Sequence, residues 1–115
     1  MIRSKFLIRG GNSFIAASME GHADYAEEGS DIVCAAATTL SCAIGDGIVE
    51  VLGIKADCSA NEGNILIDIS KNSTEEIEQC QVLMKTLHLG FKNLQLNYGK
   101  YIKVDEEEVY AHVIS

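Results

Sequence analysis

Apolar and polar residues alternate at the start of the chain. Ile2, Phe6 and Ile8 fall on one face while Arg3, Lys5 and Arg9 fall on the other, the period of two that a half-buried strand requires. Gly10, Gly11 and Asn12 follow; all three tolerate positive φ, so a hairpin turn is expected and residues 13–20 continue as a second strand. From Ser30 to about Gly53 the period becomes helical, with Val33, Ala37, Leu40, Ile44 and Val51 as the apolar stripe. Ser30 or Asp31 is placed to cap this helix, and Gly45 and Gly47 weaken its second half, where a bend or an early end is expected. Residues 54–59 and 65–70 flank the turn-rich Asn61-Glu62-Gly63-Asn64 and predict a second hairpin. The clearest helix comes next. Ser73 and Glu76 fit a capping box, and Ile77, Cys80, Met84, Leu87, Phe91, Leu94 and Tyr98 recur at spacings of three and four before Gly99. Residues 101–104 read as a last strand, Asp105–Glu108 as a solvated acidic turn or tail, and 109–115 as an edge strand or a fraying end.

These elements predict an α+β fold in the order ββαββαβ: two β-hairpins plus a C-terminal strand packed with two α-helices. At 115 residues the chain is expected to form a single domain, 1–115, with its own core. No internal repeat or low-complexity linker divides it. The formal net charge of −8 repels phosphate backbones and anionic membranes, so a basic polypeptide is the favoured partner and no direct nucleic acid is expected. The N-terminus alternates and carries charge, unlike a secretory leader, and no apolar run is read as approaching the length of a membrane span. A soluble, cytoplasmic protein with no membrane contact is the expectation. Four cysteines at 34, 42, 58 and 80 lack any CxxC spacing, so neither a metal site, nor a cofactor, nor a disulfide framework is expected.

Candidate chemistry is concentrated in GHADYAEEGSDIVC, Gly21 to Cys34. A cysteine reacts as its thiolate, and free N–H groups at a helix start favour that anion. Cys34 is expected in the first turn of the first helix, and His22 lies twelve residues upstream across a loop that can fold back to it. Thr38, Ser41 and Gly45 share the side of the helix that carries Cys34; Thr38 offers a hydroxyl. Gly21 and Gly29 bracket the loop as hinge positions, or simply as turns. Asp31 is read as a cap or as a group that orients His22. The alternative for Cys34 is the usual fate of a free cysteine, which is core packing. Cys80, on the apolar stripe of the second helix, is expected to be inert; Cys42 and Cys58 have no dipole assistance. His88 and His112 read as structural.

The segment resembles the signature of the bacterial ribosomal-processing cysteine proteases, in which GHA is followed, after a short gap, by G-x-D-I-V-C-A. Gly21, His22, Ala23, Gly29, Asp31, Ile32, Val33, Cys34 and Ala35 match it. The resemblance implies a compact α/β fold, a homodimer, and a cysteine protease that trims the N-terminal segment of a large-subunit ribosomal protein, the twenty-seventh. It implies Cys34 as nucleophile, His22 as general base, and Asp31 and Thr38 as supporting groups; the family commonly has Ser at the position of Thr38. It also implies that the loop between them acts as a mobile lid. The competing expectation is a non-enzymatic, ribosome-associated module that binds a basic ribosomal protein.

Overall fold

The computed structural model describes residues 1–21, 28–61 and 63–109, and of residues 28–31 the backbone alone. Strands β1 (Ile2–Arg9) and β2 (Ser13–Glu20) form the first hairpin. Gly10 and Gly11 turn it with φ of 64° and 73°, values that a side chain would strain. Strands β3 (Asp57–Asn61) and β4 (Asn64–Asp68) form the second, and β5 (Ile102–Val109) completes one five-stranded sheet in the order β3-β4-β2-β1-β5. All neighbours are antiparallel except β1 and β5. Helices α1 (Glu28–Asp46), α2 (Thr74–Gln79) and α3 (Gln81–Tyr98) complete the fold. The α+β class and the order ββαββαβ are as expected, with the last helix broken into α2 and α3 at Cys80.

The alternation in β1 works as the pattern requires. Ile2 and Phe6 are fully buried while Arg3 and Lys5 face solvent. Ser4 shares the inner face; its hydroxyl donates to the Ser18 carbonyl at 3.0 Å, which removes the penalty of burying it. The register slips between Leu7 and Ile8, where β2 carries Ile15 as an extra residue. This bulge leaves the Ile15 carbonyl free to accept from Ile69 N–H at 2.9 Å. Ile65, Ile67 and Ile69, Ile102 and Val104, and the helix residues Val33, Ala37, Ile44, Met84, Leu87 and Phe91 fill the space between sheet and helices. The α1–α3 crossing is close because small residues meet large ones: a Cβ on Gly90 would stand 3.3 Å from Leu40 Cδ1, and one on Gly47 3.1 Å from Leu83 Cδ1.

The capping box at Ser73 and Glu76 forms in full, with both reciprocal hydrogen bonds present. Several expectations need correction. Ser30 and Asp31 do not cap α1; they are its third and fourth residues. Val51 is 83% exposed rather than part of the buried stripe, because the backbone passes into a π turn over Gly47–Val51. The wider turn shifts the phase and brings Ile48 inward instead. The acidic run is strand, not tail: Asp105–Glu108 lies within β5. Its charges are met locally, Glu107 by Lys5 at 3.8 Å and Glu108 by Gly11 N–H at 2.6 Å. Glu106 turns inward to His88 Nε2 at 3.2 Å and Lys92 Nζ at 3.9 Å. Ile32–Val51 does reach the length and composition of a membrane span, with a mean hydropathy of 1.7; yet its Val33, Ala37, Ile44 and Ile48 are buried against the sheet and α3, the packing of a core helix. His112 lies outside the described residues.

Candidate active site

Strand β2 delivers the chain to the site. Gly21 leaves it with a φ of 100°, and a Cβ there would meet the Met1 carbonyl oxygen at 2.5 Å, so only glycine fits. Its N–H donates to the Gly63 carbonyl at 2.9 Å. The loop that carries His22 therefore departs beside the β3–β4 turn. His22 itself lies outside the described residues. Gly29, expected as the second hinge, falls in the first turn of α1, as does Asp31, whose side chain is not described.

Cys34 is the seventh residue of α1, not a first-turn residue. Its N–H belongs to the helix ladder, since the free donors of a helix are those of its first four residues. The dipole acts chiefly within that first turn, so a neighbouring imidazole has more to do at Cys34 than the sequence reading assigns it. The side chain is half-buried and packs at the edge of the core. It is neither sealed among aliphatics nor fully in water. Thr38 and Ser41 follow it along one side of α1, the first half-buried and the second buried.

The other thiols are distinct. All four cysteines are free. Cys80 is fully buried, and burial, then Glu76 and Cys58, push its thiol pKa up. Cys58 is raised too, by burial first and then by the charges of Asp57, Asp46 and Asp68. Cys42 is exposed on α1. His88 is packed between Phe6 and Phe14, with ring centroids at 4.9 and 5.0 Å, and meets no thiol. Among the described residues no group of three or more His, Cys, Asp or Glu side chains is arranged to hold a metal ion.

Sequence reasoning missed a groove of about 340 Å³ further along α1, beginning at Ser41. It runs between α1, at Ser41, Cys42, Gly45 and Asp46, with Val49 of the π turn, and the inner face of β3–β4. The helix is lined there by small residues, and β3 lies at the edge of the sheet, where all five of its residues are exposed. The stretch of short side chains on α1 was the available signal; what faces it depends on the sheet order, which a single sequence does not display.

The family model for cysteine protease Prp matches residues 1–103. The ribosomal processing cysteine protease Prp of Staphylococcus aureus is 24% identical over 87 residues, covering 76% of this chain and 81% of that one. The crystal structure of SMU.848 from Streptococcus mutans superposes with a TM-score of 0.83 at 27% identity, covering 95% of this chain and 99% of its own. The S. aureus Prp structure in complex with a substrate peptide gives 0.81 at 20% identity, over 93% and 100%. With the family model spanning almost the whole chain, and a half-buried thiol on the helix that follows the GHA segment, this chain belongs to the cysteine protease Prp family.

Proposed function

We propose that the chain is an endopeptidase that removes the N-terminal extension of a large-subunit ribosomal protein, the twenty-seventh, with Cys34 as nucleophile and His22 as general base. The observation that carries the reading is the family match over residues 1–103, whose cysteine protease chemistry needs a reachable thiol; Cys34 is half-buried on α1 at the end where the His22 loop returns. The curated relatives named as ribosomal processing proteases support the choice of substrate class.

In this mechanism His22 takes the Cys34 proton and the sulfur adds to the scissile carbonyl. The C–N bond breaks as His22 returns the proton to the leaving amine, and water hydrolyses the thioester with His22 again as base. Asp31 and Thr38 support the loop and the ring, and Gly21 serves as hinge. The enzyme works in the cytoplasm. It acts as a homodimer, a reading supported by the line of exposed Val82, Leu89 and Leu96 on α3, seven residues apart; a monomer by sedimentation at micromolar concentration removes that part.

A peptide covering the ribosomal extension, incubated with the protein and read by mass, tests the assignment. One cut is expected, slowed by roughly 10²–10⁴-fold in His22→Ala. Full activity in His22→Ala overturns the dyad.

A further inference from the structure

The groove between α1 and β3 opens on the side of α1 that carries the candidate nucleophile, two turns further along the helix. Strand β3 runs toward the β3–β4 turn, where Gly63 accepts from Gly21 N–H, so it ends beside the start of the loop that feeds α1. Helix α1 runs the opposite way, and by Gly45 it has come close to Cys58, where an added Cβ would stand 3.9 Å from the sulfur. Helix and strand are thus the two antiparallel walls of the groove, whose α1 lining begins at Ser41, seven residues beyond Cys34 on the same side of the helix.

The groove's position and charge say what fits. From Cys34 to Gly45 is eleven residues, about 16 Å at ~1.5 Å per helical residue. That is the length of about five residues of extended chain at ~3.3 Å each. Cys58 pairs with Ile67 and Ala60 with Ile65. Both therefore face the helix layer, yet both are exposed because α1 does not cover them. Among the described residues no strand pairs with the outer edge of β3, so its main chain is available to an added strand. Among the described residues Asp46 lines the groove and no cationic side chain does. Asp57 and Asp68 stand one position from the lining residues Cys58 and Ile67, and their charges, with that of Asp46, reach the Cys58 thiol.

We infer that this groove holds an extended segment of the peptide substrate, small or apolar at alternate positions, with a cationic side chain beside Asp46 about five residues from the scissile bond. The inference deepens the protease reading of Cys34 and rests on it. The walls supply shape through their short side chains, β3 supplies main-chain hydrogen bonds, and Asp46 selects charge. Continuity with the Cys34 face of α1 commits the groove to substrate rather than to a separate ligand.

Two measurements test it. A randomised peptide library digested by the unaltered protein, with products sequenced by mass, is expected to show Lys or Arg enriched about five residues from the cut. In Asp46→Lys, an exposed helix position, that enrichment disappears, and kcat/KM for the basic peptides falls about tenfold. No enrichment, or enrichment unchanged by Asp46→Lys, overturns the inference. The second measurement does not need cleavage. In full-length Cys34→Ala protein, an extended decapeptide alternating Arg and Ala is expected to slow alkylation of Cys42 about tenfold, and its Glu counterpart to leave the rate unchanged. Equal protection by both, or by neither, overturns the groove. Protection without any cleavage by the unaltered protein keeps the groove as a peptide site and removes the protease reading instead.

Discussion

At the scale of single residues, the four thiols share one chemistry and differ in surroundings. Cys80 is sealed in the core and Cys58 sits among three carboxylates; both are pushed above the ordinary thiol range. For each, the neutral form is favoured on folding. That contribution is whole below the unfolded value of 9.0 and is lost as pH rises through the higher folded value. Cys34 is half-buried where the His22 loop returns to α1. Iodoacetamide below pH 7, followed by peptide mapping, is therefore expected to label Cys34 first and Cys80 last. Equal rates at all accessible thiols contradict an imidazole-assisted Cys34. The signature residues were legible because their order along the chain is itself the signal. The depth of Cys34 within α1 was not, because the helix starts at Glu28, ahead of the Ser and Asp that composition offers as caps.

Elements were most legible where a local rule closes on itself. The Ser73–Glu76 box is complete within four residues, and its carboxylate is held below the usual range by Asn72 first and then Ser73. That contribution is present above the unfolded value of 4.5 and fades as pH falls through the lower folded one. The π turn after Asp46 and the strand character of Asp105–Glu108 were not legible. The first follows from how α1 meets α3 through Gly47 and Leu83. The second follows from parallel pairing of β5 with β1, nearly a hundred residues earlier, which offers Lys5 to Glu107. The α1–α3 crossing also yields a stability prediction. Gly90→Val drives two methyls toward Leu40 at a contact already 3.3 Å from a bare Cβ. Unfolding in urea is expected to show a loss of about 1–3 kcal/mol; an unchanged midpoint contradicts the close packing.

At the scale of the whole molecule, sheet order and net charge act together. The order puts β3 at an edge and α1 above it, and that is how a helix bearing the candidate nucleophile also becomes one wall of a peptide-sized groove. The net charge of −8 adds a long-range preference for basic polypeptides, which Asp46 makes local. The account turns on whether sulfur 34 does covalent work. The most direct measurement is the intact mass of the extended ribosomal protein after incubation with the unaltered chain and with Cys34→Ala. The unaltered chain is predicted to shorten it at its N-terminus while Cys34→Ala leaves it at full length. Shortening by Cys34→Ala at the parent rate contradicts the account.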